Sequence, residues 1–146
     1  MRWHVHQSEH RNDSHYGMAL AIQEALNTGD TQAAAAGIEE LIEALSRSDK
    51  RALESYLTRL MQHILKWQAQ PERRSRSWIA TIHNARKHIR KLQADTPRFT
   101  DRLIHEQLWE DCLDSAHREA EGEINRDLPW TALSWDEVFE RPCTLG

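Results

Sequence analysis

Residues 53–65 read Leu-Glu-Ser-Tyr-Leu-Thr-Arg-Leu-Met-Gln-His-Ile-Leu, and they have the strongest helical periodicity in the chain. Apolar residues recur there at spacings of three and four, which is the pattern of an amphipathic α-helix. The resulting stripe is wide and requires burial against at least two other helices. It consists of Leu53, Leu57, Leu60, Met61, Ile64 and Leu65. The stretch therefore predicts the central helix of a helical bundle.

The composition favours an all-α fold. The chain has 146 residues, of which only 5 are Gly and 4 are Pro. A chain of this length buries roughly 68–70% of its unfolded surface, so one core suffices without a disulfide or a metal. Because the first fifteen residues have no periodicity, we predict a flexible arm at 1–15 and a single helical domain at 16–146.

Apolar stripes before and after the central helix in the sequence predict a bundle of four to five main helices with a short C-terminal helix. Ser46-Arg47-Ser48 is expected to interrupt the second helix, with Ser48 capping the central one, and Pro71 to end the central helix near residues 68–70. Thr96 is predicted to cap the fifth helix. Ser134 and Glu137 have the spacing of a capping box, and Trp130, Trp135 and Phe139 should dock the last segment. The predicted helices cover about residues 18–26, 31–45, 49–69, 97–122 and 134–139, and a fourth helix has its apolar seam at residues 82–92 and ends at Asp95-Thr96-Pro97.

Charge is segregated along the chain. The formal net charge is −4, from 19 Lys+Arg and 23 Asp+Glu, but Glu72 is the one acid between residues 55 and 94. Acids cluster instead at 39–43 and 106–123. A basic middle third flanked by acidic segments predicts either helix pairing by opposite charge or an exposed basic surface.

The segment from Lys66 to Trp78 places four cations and two tryptophans around Pro71. Arg73, Arg74 and Arg76 can form a structural network with Glu39, Glu40, Glu43 or the acids of the fifth helix, and can donate to carbonyls at the end of the central helix. They can also form an anion-binding surface together with other basic residues. Trp67 and Trp78 are predicted to close the helical hairpin, although either can stack on a ligand. The candidate binding residues are Lys66, Arg73, Arg74, Arg76, Trp78, Arg86, Lys87 and Arg90.

The same segment resembles the fingerprint of a bacterial family known as domain of unknown function twenty-nine. The resemblance lies in Leu65-Lys66-Trp67-Gln68, in Gln70 to Trp78, and in Arg47-Ser48-Asp49-Lys50-Arg51-Ala52-Leu53. It covers the chain from about Tyr16 to Phe139. It implies a compact, cytoplasmic, all-helical protein, and it implies no reaction, substrate or cofactor. Two departures are Met18, where relatives have Trp, and Ala34-Ala35-Ala36-Gly37, where they have an Asp-x-Glu-Asn stretch.

Other candidate sites are weaker. His4, His6 and His10 are read as part of a loosely chelating arm, and Asp114 with His117 supplies only half of a bundle metal site. No phosphate-binding loop or nucleophile motif is found in the sequence. We therefore predict no catalytic residues, no metal and no cofactor. Cys112 and Cys143 lack paired spacing, and no run is long enough to span a membrane, so we expect free thiols and a cytoplasmic protein without membrane attachment.

These patterns predict a non-enzymatic interaction or regulatory module whose basic corner, from Lys66 to Arg90, binds an acidic protein partner. One alternative is a nucleic-acid-associated protein that binds phosphates through the same Arg, Lys and Trp side chains. A second alternative is an enzyme acting on a phosphorylated substrate. Homo-oligomers are compatible with the opposite charges of the fourth and fifth helices.

Overall fold

The computed structural model describes residues 14–146, and the histidines at 4, 6 and 10 lie outside the described residues. Within 14–146 the chain forms helices and no strand, which confirms the all-α prediction. In this described part of the chain, four main helices are followed by a short C-terminal helical turn. The helices are α1 (His15–Asn27), α2 (Thr31–Ala69), α3 (Arg76–Asp95) and α4, which runs through Asp101–Leu103, Ile104–Leu108 and Trp109–Ile124. The described residues divide into two compact units, one that ends at Lys50 and one that covers Arg51–Gly146.

The first unit contains α1 and the beginning of α2. The hydroxyl of Ser14 accepts from the backbone N–H of Gly17 at 2.9 Å and caps α1. Gly29 has φ 81°, a left-handed conformation that glycine adopts without strain, and it lies in the turn between α1 and α2. Asp30 then caps α2 by accepting from Ala33 N at 3.0 Å.

Gly37 allows α1 and α2 to approach closely. A Cβ placed at Gly37 would lie only 2.7 Å from Cγ1 of Ile22 on α1. That separation is shorter than any normal carbon–carbon contact, so with a larger residue at position 37 either the Ile22 side chain or the helices would have to shift. Glycine in the interior of a helix is otherwise unfavourable, and this contact gives it a packing reason.

The predicted break at Ser46-Arg47-Ser48 is wrong, because α2 is one helix of 39 residues from Thr31 to Ala69. Serine has only modestly lower helix propensity than alanine, and no Pro or Gly lies in this part of the helix. Arg47 also pairs with Glu43 one turn earlier, at 3.9 Å, across the predicted break. Continuing α2 through residues 46–48 therefore requires little free energy.

The second unit contains the hydrophobic core. The six apolar residues of the predicted central stripe are all buried, and Leu53, Leu57, Leu60 and Met61 have no exposed surface. They belong to one cluster with residues of α3, α4 and the C-terminal turn. These partners include Ile82, Ile89, Ile104, Leu113, Ala116, Ala120, Val138 and Phe139. The last part of α2 is thus the central core helix that its sequence predicts.

The start of α4 differs from the prediction that Thr96 caps it. Phe99 is buried and its N–H donates to Thr96 O at 2.9 Å, so the chain makes a turn there. The actual cap is Thr100, whose hydroxyl accepts from Leu103 N at 3.1 Å. A π-helical turn, Ile104–Leu108, follows, and α4 ends at Ile124, where Asn125 caps it in a left-handed conformation with φ 57°.

The C-terminal segment forms the predicted capping box. Ser134 N donates to Glu137 Oε1 at 2.9 Å, and Glu137 N donates to Ser134 Oγ at 3.1 Å. A π-helical turn, Asp136–Glu140, docks through Val138 and Phe139, both buried. Trp135 stacks on Trp109 with ring centroids 5.4 Å apart. Trp130 does not join this cluster as predicted, because it is exposed and lies against His117.

Candidate functional site

The basic corner predicted from the sequence lies within the second unit, at the end of α2, in the 3₁₀ turn Pro71–Arg73 and along α3. The structure divides its eight candidate residues into two groups. Five of them contact other parts of the fold, namely Lys66, Arg74, Trp78, Arg86 and Arg90. Arg73, Arg76 and Lys87 are exposed.

Lys66 is almost completely buried, with 3% of its surface exposed, in the last turn of α2. Its ammonium lies 3.0 Å from Glu123 Oε2 on α4 and 4.9 Å from the centre of the Trp78 ring on α3. Gln62 Nε2 donates to the same carboxylate oxygen at 2.7 Å. Lys66 therefore links three helices, and its charge is compensated inside the fold.

The pKa of Glu123 is lowered, chiefly because its carboxylate accepts a hydrogen bond from Lys66. The Coulombic attraction of Lys66 and the hydrogen bond from Gln62 act in the same direction. A lowered pKa keeps the Glu123 carboxylate ionised at neutral pH.

Arg74 satisfies a carbonyl at the end of α2. Its Nε donates to Trp67 O at 2.9 Å, and its guanidinium lies 4.6 Å from the centre of the buried Trp67 ring. Trp67 is a core residue, as the hairpin-closing prediction requires. Arg126, which lies just after the end of α4, donates to Ala69 O at 3.3 Å, so two arginines cap carbonyls that have no partner within the helix.

Arg86 holds the C-terminal turn against α3. Its guanidinium donates to three backbone carbonyls, at 2.8 Å to Val138, 3.2 Å to Glu137 and 2.9 Å to Arg141. Burial lowers the pKa of Arg86 from its ordinary value, although an arginine stays protonated at neutral pH. Arg86 thus has a structural role.

Arg90 also contacts the C-terminal turn. Its Nη1 lies 2.8 Å from Asp101 Oδ1, at the start of α4, and its guanidinium lies 4.8 Å from the centre of the Phe139 ring. The pKa of Asp101 is lowered, first by a hydrogen bond from Gln93 and further by Arg90. Nearly half of the Arg90 side chain remains exposed.

The remaining basic side chains of α3 face the solvent. Arg76, His83, Lys87 and Lys91 are all exposed, and their side chains form no ion pair with any residue in 14–146. At 3.6 residues per turn these four positions fall within about 80° of arc on one side of the helix. We call them the basic stripe. His83 and Lys91 were not among the predicted binding residues, although His83 lies seven residues after Arg76 and Lys91 lies four residues after Lys87.

A surface cleft of about 270 Å³ borders the corner. Its lining includes Lys66, Arg73, Trp78 and Glu123. Arg73 is exposed at this cleft and its side chain has no ion-pair partner in the described part of the chain. Since Lys66 is already paired with Glu123, Arg73 is the uncompensated charge in the cleft lining.

No group of three or more His, Cys, Asp or Glu side chains within residues 14–146 is arranged to hold a metal ion. Asp114 pairs with Arg118 at 2.9 Å, and the His117 ring lies 3.0 Å from Leu128 O, so each side chain has another partner. Cys112 and Cys143 are both free thiols, and burial raises the pKa of each. None of the helices in the described residues combines the length and hydrophobicity needed to cross a membrane.

The chain belongs to the family described as domain of unknown function DUF29, whose model matches residues 23–140. The match confirms the resemblance found in the sequence and includes α2, α3, α4 and the C-terminal turn. A search of curated proteins and a search of solved structures found no match.

Proposed function

We propose that this protein is a non-enzymatic interaction module that binds an acidic segment of a partner protein through the basic stripe of α3. The observation that carries the proposal is the contrast between the two groups of cations. Lys66, Arg74, Arg86 and Arg90 have partners in the fold, whereas Arg76, Lys87 and Lys91 are solvated. The solvated residues are therefore available to a ligand without any rearrangement of the core.

The electrostatics of α3 support an anionic ligand. The first turn of α3 contains Arg76 and no acid, although the amino end of a helix dipole favours negative charge. Asp95, at the last residue, is the one acid in the whole helix. The like charges of the basic stripe repel each other in the unbound protein, and an acidic partner would relieve that repulsion.

The dimensions of the stripe favour a short acidic segment. From Arg76 to Lys91 the stripe is about 22 Å long, which equals about four turns of a partner helix. The chain as a whole carries a net charge of −4, which opposes the approach of a long polyanion. These two features favour an acidic peptide segment over nucleic acid as the ligand.

Affinity capture with matched variants tests the proposal. The binding variant carries Arg76→Gln, Lys87→Gln and Lys91→Gln. The control carries Arg47→Gln, Arg102→Gln and Arg118→Gln, which removes three exposed cations that pair with a carboxylate one turn away. Proteins captured by the wild type and the control, but not by the binding variant, are then purified and titrated against each chain.

We expect 1:1 binding that weakens at least tenfold in the binding variant and less than twofold in the control, with affinity falling as salt rises. Nuclease treatment should leave the complex intact. If capture disappears after nuclease treatment, the ligand is nucleic acid and the proposal is wrong. Equal binding by all three chains would also contradict it.

A further inference from the structure

The first unit exposes an apolar stripe on α2 that is separate from the basic stripe. Ile38, Ile42 and Leu45 are 46%, 59% and 41% exposed. Their spacings of four and three residues place them on one side of the helix. A row of large aliphatic side chains in water is unfavourable, at roughly 25 cal/mol for each Å² of apolar surface left uncovered.

The hairpin of α1 and the first part of α2 has almost no core of its own. Among residues 14–50 only Gly17 and Ala34 are buried. Gly17 and Ala34 have little or no side chain, so the contact between the helices buries few apolar atoms. Short helices in water obtain most of their stability from packing an apolar face. The hairpin therefore has a face suited to a second protein surface.

The charges beside the apolar stripe indicate which surface that is. Glu39 and Lys50 are both exposed, and neither side chain has an ion-pair partner within residues 14–146. They lie on the same flank of the stripe, about 60° and 80° around the helix from Ile42, at its opposite ends. In an antiparallel copy of the same helix, Glu39 of each chain would lie beside Lys50 of the other. In a parallel two-fold copy, the flanks with Glu39 and Lys50 would lie on opposite faces of the dimer, so these residues could not pair across the interface.

We propose that Ile38, Ile42 and Leu45 form an isologous dimer interface with a second copy of this chain, with the two α2 helices antiparallel. If Glu39 of each chain lies beside Lys50 of the other, the two-fold axis that relates the two α2 helices lies midway between these positions, at residues 44–45. The axis therefore passes beside Leu45. Packing two hairpins in this way produces a four-helix bundle with the aliphatic stripe at its centre.

Light scattering after size exclusion tests the dimer. We expect the wild type at about 100 µM to have twice the mass of its 17.1 kDa chain and Ile42→Lys to have the mass of the single chain. Leu145→Lys is the matched control, because Leu145 is also an exposed aliphatic residue, and it should remain dimeric. Circular dichroism checks that each variant is folded, and Ile38→Lys replaces Ile42→Lys if the latter is not.

Orientation is tested by charge reversal and by cross-linking. Glu39→Lys should weaken the dimer at least tenfold, and adding Lys50→Glu should restore it. In a Cys143→Ser background, oxidation should link Leu45→Cys chains at least ten times faster than Ile38→Cys chains, whose positions lie about 20 Å apart in the antiparallel dimer.

Three results would overturn the proposal. One is a monomeric wild type. This includes the case in which another part of the same chain covers the stripe, so that Ile42→Lys lowers the unfolding midpoint of the monomer. Another is a dimer that persists in both Ile42→Lys and Ile38→Lys. The third is equally fast cross-linking at positions 38 and 45, which would indicate parallel helices.

Discussion

Lys66 and Glu123 form an ion pair between a buried cation and a half-exposed anion, with 3% and 53% of their side chains exposed. Removing Lys66 should therefore affect stability differently from removing Glu123. Without Lys66, the Glu123 carboxylate can still be hydrated. Without Glu123, the Lys66 ammonium loses its carboxylate partner, and an uncompensated buried charge is expensive.

We predict that Glu123→Ala lowers the free energy of unfolding by about 1–3 kcal/mol, whereas Lys66→Met lowers it by less than about 1 kcal/mol. The double variant should recover most of the loss, because it removes the buried charge. Urea unfolding of the four chains measures both effects. Equal losses of unfolding free energy in the two single variants would contradict this prediction, because they would show that the burial of Lys66 does not determine the size of the loss.

The lowered pKa of Glu123 predicts a dependence on pH. A carboxyl whose pKa is lower in the folded state stabilises the fold above its unfolded pKa, about 4.3, and this stabilisation is lost as the pH falls through the folded pKa. The difference in stability between wild type and Glu123→Gln should therefore be constant between pH 6 and 8 and shrink below about pH 4. Unfolding measured across this range checks it. A difference that grows toward low pH would contradict the assignment.

The sequence could predict that Lys66 to Trp78 is exceptional but not what each residue in it does. Pro71 correctly predicts the end of α2, because it removes a backbone donor. Nothing local indicates that the partner of Lys66 is Glu123, or that Arg86 donates to carbonyls more than fifty residues later. Such pairings depend on how helices pack, which periodicity alone does not specify.

At the scale of the elements, α2 has the largest difference between sequence and structure. Ser46-Arg47-Ser48 has the residue types of a helix end followed by a cap, and the same residues are tolerated inside a helix. The local sequence is compatible with a helix break and with a continuous helix, and only the observed course of α2 from Thr31 to Ala69 distinguishes the two. The buried stripe of residues 53–65, in contrast, was predicted because its pattern is compatible with one structure only.

Ser48→Ala distinguishes the two arrangements experimentally. In a continuous helix Ser48 is an exposed interior residue, and we predict that alanine leaves stability unchanged or raises it by about 0.5 kcal/mol. If Ser48 capped a separate helix, the same change would cost about 0.5–2 kcal/mol. Thermal unfolding measures the sign. Ser134→Ala serves as the positive control because Ser134 does cap the C-terminal turn.

At the scale of the whole molecule, charge has two distinct uses. Arg74, Arg86 and Arg90 attach the ends of helices and the C-terminal turn to the rest of the second unit. Arg76, Lys87 and Lys91 contribute a solvated basic stripe to a molecule whose net charge is negative. The proposed interaction with an acidic partner depends on this separation between the cations that maintain the fold and those available for binding.

The most direct test compares the unfolding free energies of two variants with equal charge. Arg76→Gln, Lys87→Gln, Lys91→Gln changes the solvated set, and Arg74→Gln, Arg86→Gln, Arg90→Gln changes the set with partners. Both lose three positive charges, so long-range electrostatics largely cancel in the comparison. We predict a loss of less than about 1 kcal/mol for the first and more than about 3 kcal/mol for the second. Equal losses, or a larger loss in the first variant, would contradict the division of roles on which the proposed function depends.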